Sequence, residues 1–197
     1  MRSITDERKG LLSVEEGAQI LQQGGVVAYP TEGVYGLGCD PFRWSAVRRI
    51  LELKGRAADK GLILLASDFS MIEPWLETLS LEQRSRVFGT WPGPVTWLMP
   101  ARPELPAWIR GSHDMVAVRV TCHPVASALS RVASMPLVST SANPSGQEPL
   151  QTSQAVQDHF TTGLDGVVAG ALGMLNGPTE IRDARTGCVV RAGWHDR

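Results

Sequence analysis

The sequence has few cysteines, no long apolar run and almost no net charge, and each shortage excludes a class of protein. Its three cysteines are widely spaced and form no Cys-x-x-Cys pair, which argues against a disulfide framework and against a structural zinc site. No apolar run approaches the ~20 residues that span a bilayer, and residues 1–10 lack the apolar core of a signal peptide. We therefore expect a cytoplasmic protein without membrane contact.

The motifs of several large enzyme classes are also missing. No Gly-Lys-Ser/Thr of a P-loop, no His-Glu-x-x-His zinc motif and no Gly-x-Ser-x-Gly nucleophile elbow occurs. The four histidines are scattered without the spacing of metal ligands, so we interpret them as structural and predict no metal site held by the protein. The net charge of -1 gives no general attraction to nucleic acid, so any basic site has to be local.

The patterns that are present predict a mixed α/β fold. Ser13 with Glu16, and Ser80 with Gln83, have the spacing of capping boxes, and helical periodicity predicts further helices over 42–54, 124–132 and 152–160. Short apolar runs predict strands at 26–29, 62–65, 95–99, 115–121, 136–138, 166–170, 180–183 and 188–191. Helices and strands alternate irregularly, which favours a mixed sheet over a doubly wound one. No linker or repeat interrupts the pattern, so we interpret residues 1–197 as one domain.

Three cations lie close together between the predicted helix that ends at Lys54 and the strand that starts at Leu62. Lys54, Arg56 and Lys60 are accompanied there by two glycines, and such a loop can direct several positive charges toward one anion. Lys54 also suits the negative end of a helix dipole, and Gly55 suits the position after a helix. A solvated basic loop is an equally good explanation.

A second unusual segment, residues 32–41, contains Gly33, Gly36 and Gly38 directly after a predicted strand. Glycine lets the backbone approach a ligand closely. The segment is therefore either a ligand-binding loop or a plain turn between a strand and a helix. The pattern favours neither over the other.

Polar side chains also lie on or after two predicted strands. Arg119 lies on the face of the strand at 115–121 that is opposite its valines, so it needs an anion, a carboxylate or water as a partner. Residues 139–143 (STSAN) follow a strand, where α/β folds commonly bind ligands. Their side chains either donate hydrogen bonds to a ligand or cap their own backbone.

Five short segments, taken in order, resemble the YrdC-like family, and within it the short bacterial threonylcarbamoyl-adenylate synthases. They are residues 30–38 (PTEGVYGLG), 54–56 (KGR), 91–96 (WPGPVT), 118–120 (VRV) and 139–143 (STSAN). Each segment alone is weak evidence for the family, but the five segments in this order are specific for it and extend over most of the chain. Two positions depart from the family pattern: Thr179 stands where serine is frequent, and Cys122 where a polar residue is frequent.

The resemblance implies an open, twisted mixed α/β sheet flanked by helices, with a large concave and positively charged face. It implies an enzyme that converts L-threonine, bicarbonate and ATP to L-threonylcarbamoyl-adenylate and pyrophosphate, with Mg²⁺ carried by the ATP. Downstream threonylcarbamoyl-transferase proteins would then modify the adenosine next to the anticodon of certain tRNAs. The long form of the family has an additional C-terminal domain, which we expect this chain to lack.

The resemblance also assigns roles to individual residues. The residues expected at the reacting phosphate are Lys54, Arg56, Ser141 and Asn143. Further contacts to ATP are expected from Lys60, Thr96, Ser139 and Arg182. Thr31 and Arg119 are expected to bind threonine, with Arg119 pairing with its carboxylate.

Two other functions would use the same basic face. A protein that binds double-stranded RNA or tRNA, in rRNA processing or ribosome assembly, would contact the phosphate backbone and would not need threonine. A domain of an enzyme that uses carbamoyl phosphate is a third alternative, although such domains belong to much longer chains.

Overall fold

A mixed sheet forms the centre of the computed structural model, which describes residues 10–193. The interpretations of residues 1–9 and of His195 lie outside this range. The strands are β1 (Val27–Pro30), β2 (Tyr35–Gly38), β3 (Ile63–Ala66), β4 (Val95–Pro100), β5 (Met115–Val120), β6 (Leu137–Ser141), β7 (Gly166–Val167), β8 (Glu180–Asp183) and β9 (Val189–Arg191). The α-helices are α1 (Val14–Gln22), α2 (Trp44–Lys54), α3 (Leu81–Phe88), α4 (Ala107–Arg110), α5 (Pro124–Ala133) and α6 (Ser153–His159).

The strands are ordered β7-β1-β2-β6-β3-β5-β4-β8-β9 across the sheet. Three neighbouring pairs are parallel, β1 with β7, β3 with β5 and β4 with β8. The other neighbouring pairs are antiparallel. The mixed sheet predicted from the sequence is therefore confirmed.

Local sequence signals set the ends of several helices, as predicted. Ser13 Oγ accepts from the backbone N–H of Glu16 at 3.1 Å, and the Glu16 carboxylate accepts from the N–H of Ser13 at 2.7 Å. α2 ends at Lys54 because Gly55 adopts a left-handed conformation (φ +56°), which costs glycine little. His123 caps α5, since its Nδ1 accepts a backbone N–H of the first turn at 3.4 Å, which is a structural role.

Three elements differ from the prediction. Residues 35–38, expected in a glycine-rich loop, form β2, which pairs with β1 on one side and β6 on the other. Glycine disfavours strands, but pairing on both edges overrides this local preference. The strand predicted at 166–170 is only the two-residue β7. The short helix α4 begins without a side-chain cap, so no sequence signal marks its start.

The two faces of the sheet are covered differently. One face packs against α2, α3 and α6 in the larger core, which includes Leu64. On the other face, α1 and α5 cover Leu65 and Leu137 in a smaller core. Because side chains alternate along a strand, Ile63 and Ser139 lie on the same face as Leu65 and Leu137. They lie beyond the two covering helices, where the face is open.

Among residues 10–193, no helix combines the length and the apolar character that crossing a membrane requires. Within the same range, no group of three or more histidine, cysteine, aspartate or glutamate side chains is arranged to hold a metal ion.

Candidate active site

An open cavity of about 370 Å³ lies on the uncovered end of the sheet. Its floor is apolar and consists of side chains from four adjacent strands: Ile63, Ala117, Leu98 and Ile181. The strand register aligns them, because Ile63 pairs with Ala117 and Ala117 pairs with Leu98. The volume lies in the range of small-molecule binding sites.

The walls of the cavity are basic. Six of the described residues that line it are lysine or arginine: Lys54, Arg56, Lys60, Arg110, Arg119 and Arg191. Within residues 10–193, no aspartate or glutamate lines it. The positive charge is therefore local, in a chain whose net charge is -1, and the cavity favours an anionic ligand.

Lys54 is buried at the end of α2, with 3% of its surface exposed. Its ammonium donates to the backbone carbonyl oxygens of Ser141 and Asn143, the latter at 2.7 Å, and lies 3.5 Å from the side-chain oxygen of Asn143. Burial, and to a smaller extent the charge of Arg56, lowers the pKa of Lys54 from 10.5 to about 8. Lys54 thus ties α2 to the loop after β6 and places a titratable cation in the cavity wall.

Arg56 and Lys60 belong to the predicted basic loop, and both line the cavity. Arg56 Nη2 donates to the carbonyl oxygen of Gly61 at 3.0 Å, while its Nε is buried without a hydrogen-bond partner. Burial lowers the pKa of Arg56, and the neighbouring Asp59 opposes this shift. Lys60 is exposed. The structure therefore brings the three cations of the loop to one cavity.

The hydroxyl-rich segment at the end of β6 forms another part of the wall. Ser139 and Ser141 lie two residues apart and therefore on the same face of the sheet, and both line the cavity. Asn143 also lines it, but its Nδ2 donates to the carbonyl oxygens of Pro144 at 2.9 Å and Gln147 at 2.6 Å. The amide hydrogens of Asn143 are thus used to shape the loop. Ser141 presents its side chain at the wall, whereas the side chain of Ser139 is hydrogen-bonded to Tyr29.

Arg119 lines the cavity from β5, although only 4% of its surface is exposed. Its Nη1 donates to the hydroxyl oxygens of Thr179 at 2.6 Å and Thr96 at 3.3 Å, and its Nη2 lies 3.4 Å from Glu32 Oε2. The other carboxylate oxygen of Glu32 accepts from Thr121 Oγ1 at 2.5 Å. Arg119 Nε has no hydrogen-bond partner. The contacts of the two terminal nitrogens fix the direction of the guanidinium, while Nε is buried.

The chain before β8 packs over the loop that follows β1 and completes the cavity beside Thr31. The N–H of Gly173 donates to the carbonyl oxygen of Thr31 at 2.9 Å. A Cβ on Gly33 would lie 2.1 Å from the carbonyl oxygen of Gly177, so only glycine allows this close packing. The contact brings Thr31, Gly177 and Thr179 to the cavity wall.

Two residues that were expected to contact ATP do not line the cavity. Thr96 is fully buried next to Arg119, and its hydroxyl oxygen accepts from that guanidinium. Arg182 follows Ile181 on β8 and therefore lies on the opposite face of the sheet. There its guanidinium lies 5.9 Å from the ring of Trp97 and pairs with Glu180.

Arg191 lines the cavity from β9, and no motif in the sequence marks it. It pairs with Ile181 across the final hairpin, and its Nη2 donates to the carbonyl oxygen of Thr179 at 2.8 Å. Burial lowers the pKa of Arg191, and the charges of Arg119 and Arg56 lower it further. Three guanidinium groups that repel one another favour a ligand with several negative charges.

The chain matches known proteins over most of its length. The family model Sua5/YciO/YrdC, described as telomere recombination, matches residues 19–193. The threonylcarbamoyl-AMP synthase of Nitrosococcus oceani is 53% identical over 178 residues, which cover 90% of this chain and 96% of that protein. The protein of the same name from Coxiella burnetii is 46% identical over 179 residues, with coverage of 91% and 96%.

A solved structure has the same fold. P. abyssi Sua5 complexed with L-threonine matches with a TM-score of 0.85 and 31% sequence identity over 91% of this chain. This chain spans about half of that one, since the match covers 54% of it. The resemblance stated from the sequence is therefore confirmed, and the chain belongs to the Sua5/YciO/YrdC family.

Proposed function

We propose that the protein is an L-threonylcarbamoyl-AMP synthase, which forms this adenylate and pyrophosphate from L-threonine, bicarbonate and ATP. The observation that carries the proposal is the cavity lined by six lysine and arginine side chains and by no carboxylate of the described residues. A triphosphate, an amino-acid carboxylate and a carbamate are all anions that such a cavity binds well. The curated relatives that bear this name align with the chain over 96% of their length.

The reaction needs positive charge and alignment more than it needs proton transfer. The threonine amine and bicarbonate give a carbamate and water. A carbamate oxygen then bonds to the α-phosphorus of ATP while the bond from that phosphorus to the pyrophosphate oxygen breaks. Negative charge accumulates on the phosphate oxygens during this step, so fixed cations and hydroxyl donors around the α-phosphate accelerate it.

We assign the reacting phosphate to the end of α2 and the end of β6. Lys54 and Arg56 supply positive charge to the phosphate and carbamate oxygens, and Ser141 supplies a neutral donor. Asn143 acts through Lys54 and through the loop, because its amide hydrogens are used on backbone carbonyl oxygens. Lys60 and Arg191 are assigned to the outer phosphates.

We assign the threonine to the wall formed by Thr31, Ser139 and Arg119. Glu32 and Thr179 orient Arg119 at the wall of the cavity, and its guanidinium is assigned to the threonine carboxylate. Thr96 helps to hold this guanidinium and does not contact the nucleotide directly.

Mg²⁺ is proposed to enter as part of the ATP substrate, because phosphate oxygens are its preferred partners when protein carboxylates are scarce. We further propose that the protein works in the cytoplasm and passes its adenylate to downstream threonylcarbamoyl-transferase proteins that modify tRNA. The names of the relatives support the synthase over the alternative of an RNA-binding protein.

Mass spectrometry tests the proposal directly. The protein is mixed with L-threonine, bicarbonate and ATP–Mg²⁺, and we expect the mass of threonylcarbamoyl-AMP together with one equivalent of pyrophosphate. Mixtures without threonine, or purged of bicarbonate, are the controls. Equal pyrophosphate release with and without threonine would contradict the assignment.

A further inference from the structure

The segment that completes the cavity just before β8 has little packing of its own. Residues 170–178, which we call the strap, form no helix or strand, and none of residues 170–176 is buried. Leu172 packs partly against the larger core, but Met174 is 99% exposed. A segment with so few buried apolar contacts opens locally at low free-energy cost. The position of the strap therefore depends largely on its hydrogen bonds.

Backbone hydrogen bonds hold the middle of the strap to the loop after β1. The N–H of Gly173 donates to the carbonyl oxygen of Thr31 at 2.9 Å, as described above. The N–H of Leu175 donates to the carbonyl oxygen of Glu32 at 2.9 Å. The strap therefore covers the loop whose Glu32 carboxylate pairs with Arg119.

Two side chains anchor the start of the strap. Tyr35 Oη donates to the carbonyl oxygen of Gly170 at 3.1 Å, and His123 Nε2 lies 3.1 Å from the next carbonyl oxygen, that of Ala171. His123 Nδ1 accepts the N–H of Ala126, so in the neutral ring Nε2 carries the proton and donates to Ala171. Burial lowers the pKa of His123 and raises that of Tyr35, so both groups keep the required proton and charge at neutral pH.

We propose that Tyr35 and His123 are positioning residues of the active site, which hold the strap where its end directs two cations of the cavity. The strap ends at Thr179, whose hydroxyl oxygen accepts from Arg119 Nη1 at 2.6 Å and whose carbonyl oxygen accepts from Arg191 at 2.8 Å. Both arginines line the cavity, so a displaced strap displaces them as well. The anchoring does not depend on the proposed function, whereas its consequence for the reaction rests on it.

Hydrogen exchange measured by mass spectrometry tests the anchors without any substrate. Tyr35→Phe keeps the buried ring and removes only the hydroxyl group. The loss of one such hydrogen bond should speed the exchange of peptides from the strap about fivefold. Peptides from β5 should exchange as in the wild type. Ser153 bonds to the same hydroxyl group, so an independent check on the second anchor is needed.

His123 offers a matched pair of variants, because its two ring nitrogens make two separate bonds. Asparagine has an acceptor where histidine has Nδ1 and is a favoured helix cap, but it is too short to reach Ala171. Glutamine places an amide nitrogen where histidine has Nε2. We therefore expect His123→Asn to speed exchange of the strap about fivefold and to keep the α5 cap. His123→Gln should keep the exchange of the strap near that of the wild type and lose the cap.

The kinetics of threonine-dependent pyrophosphate release give a readout that general destabilisation does not move. If only the closed strap is competent to bind, substrate binding closes an open one. Loss of both anchors should then raise KM for threonine at least about threefold and leave kcat within about twofold. The variant is Tyr35→Phe combined with His123→Asn, assayed well below its thermal midpoint. Gln22→Ala is the control, since it removes a bond of the same kind, from Nε2 to the Ala133 carbonyl oxygen, away from the strap.

The outcomes separate this inference from the proposed function. Unchanged exchange of the strap in Tyr35→Phe and His123→Asn would overturn the anchors, whatever the activity. Faster exchange with an unchanged KM, or equal changes of KM in His123→Asn and His123→Gln, would overturn the positioning role and leave the proposed function standing. If the wild type releases no pyrophosphate with threonine, the proposed function falls together with the positioning role, and exchange still decides whether the two side chains anchor the strap.

Discussion

Glu32 and Arg119 form a buried ion pair behind the wall of the cavity. Glu32 Oε2 lies 3.4 Å from Arg119 Nη2, and 6% and 4% of the two side chains are exposed. Both groups are buried, so solvent screens their charges little and each depends on the other for compensation. The pair explains how an arginine can face the cavity from a central strand. The Glu32 carboxylate compensates its charge, and the hydroxyl groups of Thr96 and Thr179 set its direction.

Glu32→Gln should destabilise the fold, because it leaves the Arg119 guanidinium buried without a counter-charge. Removal of one partner of a buried pair costs about 3–5 kcal/mol. The measurement is the free energy of unfolding from urea titration, and the control is Glu52→Gln. Glu52 pairs with Arg48 at 3.7 Å with both side chains more than 60% exposed, and such pairs contribute less than about 1 kcal/mol. Equal losses in the two variants would show that the Glu32 pair is not structural.

Arg56→Ala should impair catalysis without impairing the fold. Its guanidinium makes one hydrogen bond, to Gly61, and its Nε has none, so few structural contacts are lost. The loss of one group that stabilises developing charge costs about 3 kcal/mol, or roughly a hundredfold in rate. Threonine-dependent pyrophosphate release and the thermal midpoint are measured together. Arg48→Ala, in an exposed pair on α2, should leave both values unchanged.

The binding of ATP should weaken above pH 8. Burial lowers the pKa of Lys54 from 10.5 to about 8, so in the free protein its ammonium is lost at a lower pH than that of an ordinary lysine. Only the charged form attracts phosphate, and ATP affinity should therefore fall as the pH rises from 8 to 10, by at most about tenfold per pH unit. Calorimetric titration of ATP at several pH values measures the slope.

Lys54→Arg is the control for this pH dependence. A guanidinium stays charged throughout the range, so ATP affinity in the variant should be flat between pH 8 and 10, whatever its absolute value. The same slope in the variant and in the wild type would assign the pH dependence to a group other than Lys54.

Much of the fold and part of the site could be predicted from the sequence because their signals are local. The capping box at Ser13 and the left-handed conformation of Gly55 each set a helix end through residues only a few positions away in the sequence. The cations Lys54, Arg56 and Lys60 are neighbours in the chain, so one short segment delivers them to one place. The basic loop alone does not indicate a family, whereas the ordered set of motifs does.

Other features depend on pairing between distant segments, which no local pattern reveals. Tyr35–Gly38 is a strand because it has a partner on each side, in spite of its two glycines. The burial of Thr96 and the partnership of Arg119 with Glu32 depend on how three strands and a loop meet. A sequence pattern shows that side chains alternate between the two faces of a sheet, but it does not show which face is open to solvent.

The final hairpin gives the sharpest test of this last point, because the arginines of its two strands, Arg182 and Arg191, lie on opposite faces of the sheet. Arg191 is the strand partner of Ile181, and both line the cavity, whereas Arg182 lies over Trp97 on the other face.

Arg191→Ala should weaken ATP binding by about tenfold or more, since a charged contact to phosphate contributes about 1.5–3 kcal/mol. Arg182→Ala should leave ATP affinity within about twofold, although it removes packing against Trp97 and lowers the thermal midpoint. ATP affinity by calorimetry distinguishes them. A larger loss of affinity in Arg182→Ala than in Arg191→Ala would mean that the outer phosphates bind on the face of Arg182, opposite the cavity. That result would overturn the assignment of this cavity to the nucleotide.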